Sequence, residues 1–177
     1  MKKSNNNLKL AIAILTLVVA GLLAYIFYPE IILQKIGSFT IPNLSTSGYS
    51  KIVDIKTRIV GDESEITLTS GCYMLQAVSD PYVVESIQKG LDEKSDSRPN
   101  AHQIIGDAFS ALNVDVLMVK INEVKENAFF GKLIIRQGNT ILNLDAKPSD
   151  AVAIAVRTNS SIYIRTDLLQ EKGKYIC

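Results

Sequence analysis

Two patterns of hydrophobic positions divide the chain near Tyr28. Residues 10–28 contain no charged side chain and are apolar at almost every position. A helix of this length, at about 1.5 Å per residue, matches the hydrocarbon thickness of a bilayer. The run therefore predicts one transmembrane helix. A cleaved signal peptide explains the same run, because the small residues Ala20, Gly21 and Ala24 can form its cleavage site.

Positive charge on either side of this run predicts its orientation. Lys2, Lys3 and Lys9 precede it, whereas Lys35 alone follows it closely. Because lysine and arginine stay on the cytoplasmic side, we expect a single-pass membrane protein with its N-terminus in the cytoplasm and its domain outside. If the run is cleaved, the domain is exported instead. The predicted organisation is a cytoplasmic tip and transmembrane helix at 1–28, a linker at 29–48 and a globular domain at 49–177.

After the linker, the hydrophobic pattern changes repeatedly between a period of two and a period of about 3.6 residues, which predicts strands and amphipathic helices respectively. The predicted strands are 51–60, 65–69, 72–78, 114–123, 128–136, 140–145 and 161–165. The predicted helices are 81–91, 101–112, one that begins at Pro148, and 167–171. Three successive strands with short turns form an antiparallel meander. The predicted fold class is therefore α+β, a mixed, mostly antiparallel sheet packed with helices and preceded by one transmembrane helix.

The segment 145–158, DAKPSDAVAIAVRT, combines a strand end, a tight turn and a helix. Pro148 suits the first helical position, because its missing N–H is not needed there. Ser149 and Asp150 suit the first turn, where oxygen atoms satisfy free amides and a negative charge meets the positive end of the helix dipole. The next residues are small and apolar on nearly all sides, which predicts a buried helix. Polar side chains therefore gather at the rim of a core.

Charge and cysteine content narrow the classes of function. The formal net charge of the chain is +1, and acidic residues slightly outnumber basic ones after residue 48. Such a domain does not hold nucleic acid by charge alone. Cys72 and Cys177 are the only cysteines, and their spacing is not that of a zinc site. They can form one disulfide in an exported domain. Alternatively, Cys72 is a buried apolar residue and Cys177 a free thiol.

Two motifs resemble those of a known protein family. Arg98-Pro99 followed by His102 matches an RP..H entry to a helix, and DAKPSDA at 145–151 is close to a DARPSDA signature. On these motifs, the chain resembles the bifunctional nuclease family over residues 49–173. The resemblance implies a fold of mixed α and β structure, self-association into a homo-oligomer, and nuclease activity on RNA and DNA.

The chain departs from that family in three places. Lys147 stands where arginine is common, which replaces a bidentate fork by a point charge. Asp80 and Val83 stand where a glycine and a glutamate usually open the first helix. The hydrophobic run at 10–28 is an added feature. The departure at Val83, the weak charge of the domain and its predicted position outside the cytoplasm favour a second interpretation, in which the domain is a non-catalytic, membrane-tethered binding or assembly module of the same fold.

Hydrolysis of a phosphodiester needs an activated water and neutralisation of charge at the phosphate. Asp145 and Asp150 are the predicted catalytic carboxylates and the predicted ligands of a divalent ion, Mg²⁺ or Mn²⁺, because they flank one turn and supply oxygen ligands. His102 is the predicted proton-transfer group, since the free pKa of histidine lies near neutrality. Each residue also has a structural interpretation: Asp145 can cap a turn, Asp150 can stabilise a helix N-terminus, and His102 can form a local hydrogen bond.

Three further residues are predicted to contact the phosphate of the substrate. Arg98 and Lys147 supply positive charge, and Ser149 supplies a hydroxyl at a helix N-terminus. The structural alternatives are an anchor for the loop, a solvated lysine and a helix cap. Together these residues predict a membrane-anchored, nuclease-like protein that hydrolyses phosphodiester bonds in RNA or DNA with a divalent metal.

Overall fold

The computed structural model describes residues 9, 12–21, 23, 44–61 and 63–177 of the chain, which divides into two compact units, Met1–Ile41 and Pro42–Cys177. Residues 12–21 are helical. Within the described part of the chain, no helix is both long and apolar enough to cross a bilayer. The predicted transmembrane run 10–28 and the predicted linker 29–48 each include residues outside the described ranges. The membrane anchor therefore stays a prediction.

The second unit has a mixed α+β fold, as the sequence predicted. Its first strands and helices are β1 (Tyr49–Lys51), β2 (Asp54–Val60), β3 (Glu63–Ser70), β4 (Tyr73–Val78), α1 (Pro81–Leu91) and α2 (Ala101–Ala111). Next come β5 (Val114–Lys125), β6 (Ala128–Gln137), β7 (Thr140–Ala146), α3 (Pro148–Arg157), β8 (Ser161–Arg165), α4 (Thr166–Lys172) and β9 (Lys174–Tyr175). Helices α1 and α3 both have proline at the start, where it removes no needed N–H.

The strands form two sheets, whereas the sequence predicted one. The five-stranded sheet has the order β1-β8-β5-β6-β7, and the four-stranded sheet has the order β2-β3-β4-β9. Strands β5 and β8 are parallel, and the other pairings among the described strands are antiparallel. The predicted meander is confirmed as β5, β6 and β7. The prediction of a mostly antiparallel arrangement is therefore confirmed, and the prediction of a single sheet is wrong.

The predicted strand 51–60 is interrupted, and this interruption separates the two sheets. Ile52 donates its backbone N–H to Ile162 in β8, and Val53 donates to Thr69 in β3. The chain therefore passes from the five-stranded sheet to the four-stranded sheet between these two residues. The alternation of side chains continues across the break, which is why the pattern predicted one strand.

The core lies between the two sheets and around α3. Its apolar residues include Ile66, Leu68 and Leu75 of the four-stranded sheet and Val119, Ile121 and Leu133 of the five-stranded sheet. The central residues of α3 are buried in a continuous row, from Ala151 to Ala155. The prediction that this helix is buried is confirmed, and its first turn is consequently fixed at the edge of the core.

Helices α1 and α3 approach each other closely at Gly90. A β-carbon added there would lie 2.6 Å from Val156 Cγ2, a distance that real contacts do not show. We therefore expect Gly90→Ala to lower the free energy of unfolding by about 1–3 kcal/mol, because the extra methyl group overpacks the contact. Urea unfolding followed by circular dichroism measures this change.

Gly106 provides a matched control for that substitution. It also lies within a helix, α2, but a β-carbon there would meet Arg157 Cβ at an ordinary 3.8 Å. Since alanine is a better helix former than glycine, we expect Gly106→Ala to raise the free energy of unfolding by up to about 1 kcal/mol. Equal effects at the two positions would contradict the close packing of α1 on α3.

One disulfide joins Cys72, in the turn before β4, to Cys177. The bridged residues are 105 positions apart in the sequence. Next to it, the rings of Tyr73 and Tyr175 pack edge to face with centroids 5.5 Å apart, and Tyr73 pairs with Tyr175 in the sheet. Of the two interpretations of the cysteines, the structure has the disulfide.

A buried lysine attaches the segment before β1 to the five-stranded sheet. Lys120 in β5 donates from Nζ to the Ser45 carbonyl at 2.7 Å, and Nζ lies 4.8 Å from the centroid of the Tyr49 ring. Burial lowers the pKa of Lys120, because it disfavours the charged ammonium. The predicted linker extended to residue 48, but Ser45 already belongs to the packed domain.

Candidate active site

His102 occupies the first turn of α2, close to α1 and α3. The preceding Asn100 caps this helix, since its side chain accepts a hydrogen bond from the Gln103 N–H at 3.0 Å. The cap fixes the start of the helix at Ala101. His102 is therefore its second residue, and the imidazole contacts Ser86 and Asp150. The side chain is only 14% exposed. The RP..H stretch thus carries a nearly buried histidine.

His102 contacts Asp150, which lies in the first turn of α3. The distance from His102 Nε2 to Asp150 Oδ1 is 3.2 Å, within hydrogen-bonding range. The Asp150 side chain is 42% exposed. The two motifs singled out in the sequence therefore meet, although 48 positions separate these residues. Besides placing a negative charge at the N-terminus of α3, Asp150 connects this helix to α2 through His102.

The other ring nitrogen of His102 contacts Ser86 on α1. His102 Nδ1 lies 3.1 Å from Ser86 Oγ, and Arg157 donates from Nη2 to the carbonyl and to Oγ of Ser86 at 2.9 and 3.1 Å. Arg157 ends α3, seven residues after Asp150. Residues seven apart lie on one helix face, so Asp150 and Arg157 both reach toward α1 and α2. The four residues form one network, which joins three helices.

The hydrogen-bonding chemistry fixes the tautomer of a neutral His102. An ionised Asp150 only accepts hydrogen bonds, so Nε2 carries the proton and Nδ1 accepts from the Ser86 hydroxyl. If the ring is protonated, Nδ1 donates to Ser86 instead, and the Ser86 hydroxyl turns to Asn100 Oδ1, which lies 3.4 Å away.

The order Asp150–His102–Ser86 is that of a nucleophilic triad, but burial excludes this chemistry at Ser86. The Ser86 residue is 1% exposed, so a substrate phosphorus or carbonyl carbon cannot reach its Oγ. Its oxygen also accepts from Arg157. Within this network, Asp150 is the most exposed of these three groups. Solvent therefore reaches the carboxylate of Asp150, while His102 and Ser86 lie behind it.

Asp145 lies apart from this network. In the register of β6 and β7 it pairs with Lys132, and its Oδ1 lies 2.7 Å from Lys132 Nζ. The neighbouring pair in the register is Gly131 and Ala146, which lies on the other face of the sheet. A β-carbon added to Gly131 would lie 3.3 Å from Pro148, the first residue of α3, so this is the face that α3 covers. Successive strand residues face opposite sides. Asp145 therefore points away from the face that α3 covers, and its side chain is 82% exposed.

The two predicted metal ligands consequently do not converge. Asp150 binds His102, and Asp145 binds Lys132 across the sheet. Among the residues that the structure describes, no group of three or more His, Cys, Asp or Glu side chains is arranged to hold a metal ion. The donor atoms present do not fit a divalent ion shared by Asp145 and Asp150.

The predicted phosphate contacts also lie in different surroundings. Arg98 is exposed in the loop before α2, and it forms no ion pair with the described residues. Lys147 is exposed and immediately precedes α3 as its N-cap residue. Ser149 was expected to cap this helix or to contact a phosphate, but its Oγ is buried and has no hydrogen-bond partner in the described part of the chain.

A polar cleft of about 890 Å³ opens beside the network on its Arg157 side. Its lining includes Gln103 and Arg157, but neither His102 nor Asp150. The basic residues of the lining are Lys51, Lys89, Lys94 and Arg157, and the acidic ones are Glu93 and Asp107. Lys89 is already paired with Asp96 and Glu85, whose hydrogen bonds raise its pKa. The excess positive charge of the cleft is therefore small.

Ser86 and Arg157 are the members of the network that sequence reasoning missed. The signal for Arg157 was its spacing from Asp150, which is two helical turns. Ser86 could have been found from its position, because it is a polar residue close in sequence to Val83, Val84 and Ile87, which form the apolar side of a predicted helix. A polar residue at such a position needs a buried partner.

Comparison with known proteins gives one family and two relatives. The family model described as "Bifunctional nuclease domain" matches residues 74–176, more than half of the chain. Two proteins of Mycobacterium tuberculosis, "Uncharacterized protein MT1877" of strain CDC 1551 / Oshkosh and "Uncharacterized protein Rv1829" of strain ATCC 25618 / H37Rv, are each 34% identical to the chain over 79 residues. These matches cover 45% of this chain and 46% of each relative, so the chain spans about half the length of the curated relatives it matches.

Proposed function

Because this chain belongs to the bifunctional nuclease domain family, we propose that it hydrolyses phosphodiester bonds in RNA or DNA and that Asp150 is the substrate-facing group of its site. The observation that carries the proposal is the contact between His102 and Asp150, because it unites the RP..H and DAKPSDA motifs in one partly open position. Both motifs lie within the matched residues 74–176. Nucleic acid is the substrate class that the family supports.

In the proposed chemistry, Asp150 takes a proton from a water molecule, whose oxygen bonds to phosphorus. The P–O bond to the leaving sugar oxygen breaks, and that oxygen takes a proton from solvent. The hydrogen bond from His102 Nε2 occupies Asp150 Oδ1, which leaves the second carboxylate oxygen to receive the proton. A fixed carboxylate loses less entropy in the transition state than a freely rotating one. In this scheme His102 positions the base instead of touching the substrate, which differs from the proton-transfer role that the sequence predicted. The exposed Arg98 and Lys147 are the proposed phosphate contacts.

We propose that a divalent ion, Mg²⁺ or Mn²⁺, binds between the phosphate of the substrate and the Asp150 carboxylate. Mg²⁺ is often held by one or two carboxylates together with substrate phosphates instead of a full cage of protein ligands. Such an ion supplies neutralisation of phosphate charge when it is bound. Asp145 has no part in this arrangement, since it lies on the other face of the sheet.

The deciding experiment is a cleavage assay on the purified full-length protein. End-labelled single-stranded RNA and DNA are incubated with Mg²⁺, with Mn²⁺, and with a chelator in excess. We expect cleavage in the presence of a divalent ion and none with the chelator. Absence of cleavage under all of these conditions would remove the nuclease proposal in favour of the alternative below.

The alternative proposal is a non-catalytic binding or assembly module of the same fold. One observation favours it: both ring nitrogens of His102 and the hydroxyl of Ser86 are engaged within the protein, so the network also acts as a connection between helices. Under this alternative, His102→Ala lowers the free energy of unfolding, and neither the wild type nor the variant cleaves nucleic acid. Under the nuclease proposal, His102→Ala lowers both the free energy of unfolding and the cleavage rate. Self-association into a homo-oligomer is proposed in either case, and sedimentation analysis tests it.

The location of the domain is proposed to be outside the cytoplasm, tethered by residues 10–28 or released after cleavage of that run. The Cys72–Cys177 disulfide supports this location, because disulfides persist mainly in oxidising compartments. Protease added to intact cells should digest the domain if it is tethered and outside. A domain that stays protected until the cells are lysed would contradict the proposal.

A further inference from the structure

Strand β7 forms one edge of the five-stranded sheet, and its outer side has no partner among the strands that the structure describes. A two-residue turn, Gly138-Asn139, joins it to β6. The residues that flank such a turn, Gln137 and Thr140, exchange backbone hydrogen bonds, and bonded pairs then alternate with non-bonded pairs along the ladder. The even-numbered residues of β7 therefore bond to β6. The residues whose N–H and C=O groups point outward are Ile141, Asn143 and Asp145.

The other three edges of the described sheets are protected against pairing, whereas β7 is not. Strands β1 and β9 have only three and two residues. Strand β2 carries the exposed charges of Lys56 and Arg58, and α1 packs beside it, where Thr57 donates a hydrogen bond to Gln88. Strand β7 has seven residues, no proline and no bulge in its register with β6. Because an edge without such protection pairs readily with another strand, β7 has the features of a pairing surface.

The side chains of β7 also suit a partner strand. Leu142 and Leu144 lie on the face that α3 covers, yet each is 39% exposed, because no strand follows β7 in the sheet. Asp145 is the only charged residue of the strand, and Lys132 on the neighbouring strand neutralises it. The edge thus presents two partly exposed leucines and no unpaired charge.

We propose that two copies of the chain pair along β7, antiparallel to each other, with a two-fold axis at Asn143. An axis at the central residue pairs all seven residues of the strand. Leu142 of one copy then lies opposite Leu144 of the other, and Asp145 lies opposite Ile141. An axis at Asp145 would instead place two carboxylates directly opposite each other, which is unfavourable. Length and charge therefore select the register at Asn143, and the two five-stranded sheets join into one.

This interface specifies the homo-oligomer proposed above as a two-fold dimer, the commonest symmetry of soluble oligomers. It does not depend on nuclease activity. Stable complexes bury about 1,200–2,000 Å² of surface in total, and weaker ones bury less. Two paired strands with two leucines from each copy form a small interface. We therefore expect a reversible dimer that dissociates in the micromolar range.

Cysteine cross-linking of the full-length protein tests the register. The two native cysteines are joined to each other, so Asn143→Cys introduces the only free thiol of the chain. At the two-fold axis, hydrogen-bonded residues of antiparallel strands have α-carbons about 5.5 Å apart, a distance that a disulfide spans. We expect diamide to convert most of this variant into a covalent dimer on a non-reducing gel.

Ile141→Cys is the matched control for the cross-linking. Its side chain lies on the same face of the same strand, but the two copies of residue 141 are four positions apart, about 14 Å along the strands. This variant should remain monomeric on the gel. Equal cross-linking at positions 141 and 143, or none at position 143, would overturn the proposed register.

A backbone variant tests the edge itself. Proline at position 143 removes an N–H that β6 does not use, so the fold should tolerate it. In sedimentation velocity at matched concentrations, Asn143→Pro should weaken dimerisation about tenfold or more, because each dimer loses two hydrogen bonds. Asn143→Ala keeps the N–H and should dimerise as the wild type does. If Asn143→Pro does not fold, Leu144→Lys provides the second variant, since a lysine on an edge strand opposes pairing.

The outcomes separate this interface from self-association in general. If a folded Asn143→Pro or Leu144→Lys variant associates as strongly as the wild type, the copies meet elsewhere, and the β7 proposal is wrong while the homo-oligomer stands. If the wild type is monomeric at every concentration, both proposals are wrong. Cleavage of nucleic acid by a monomeric Asn143→Pro variant would leave both the β7 interface and the nuclease proposal in place.

Discussion

Replacing Cys72 with serine should lower the free energy of unfolding by about 4 kcal/mol. The disulfide links residues 105 positions apart, and a loop of about 100 residues predicts a stabilisation near 4.7 kcal/mol in the chain-entropy account. Removal of native disulfides from small domains usually costs about 2–5 kcal/mol. The loss is of the same order as the whole stability of many domains. We therefore expect the variant to be partly unfolded at physiological temperature.

The measurement is urea unfolding of the wild type with and without reductant, beside Cys72→Ser and Cys177→Ser. Each variant should match the reduced wild type, and reductant should not affect either of them further. The strand pair β4–β9 should lose protection from hydrogen exchange first, because β9 is short and its residues are exposed. A shift of less than about 1 kcal/mol would contradict the disulfide's structural role.

Substitution of Asp150 by asparagine should lower the cleavage rate about 10²- to 10⁴-fold, the usual contribution of a general base. Asparagine keeps an oxygen acceptor for His102 Nε2–H, so the network stays closed and the fold is preserved. What is lost is the group that takes the proton from water. We expect kcat to fall and the melting temperature to change by only a few degrees.

Asp145→Asn is the matched control for this experiment. The same change of chemistry, on a neighbouring carboxylate of the same motif, should alter the cleavage rate less than about threefold. Asp145 is exposed, and it binds Lys132 on the face of the sheet that α3 does not cover. If both substitutions abolish cleavage equally, the two carboxylates act together and the role assigned to Asp150 alone is wrong. If neither has an effect, the nuclease site lies elsewhere.

Asp145 illustrates which part of the site the sequence could not predict. The period-two pattern places it on the strand face opposite to Leu144 and Ala146, but the pattern does not say which face the following helix covers. That choice depends on packing of α3 against β5 and β6, which is a tertiary property. The sequence predicted Asp150 as a catalytic carboxylate and His102 as a proton-transfer group, each from its own motif. Their contact depends on how α2 and α3 pack, and no local pattern contains that information.

Segment length explains why most helices and strands were predicted from the sequence but their arrangement in two sheets was not. Helix α3 and the meander β5–β7 have periodic sequences long enough to show their period. Strands β1 and β9 have three and two residues, which is too few for any alternation to be visible. Both are held by partners distant in the sequence, since β1 pairs with β8 and β9 pairs with β4. The division into two sheets follows from these non-local pairings.

The position of β8 has a consequence for the order in which the protein can fold during synthesis. This strand lies between β1 and β5, and it provides the connection of the first strand to its sheet. On the ribosome, β1 emerges more than a hundred residues before its partner Ser161–Arg165. Until then its backbone amides lack their native acceptors. Assembly of the five-stranded sheet therefore has to wait until Ser161–Arg165 has been synthesised, and contacts this distant in sequence form slowly.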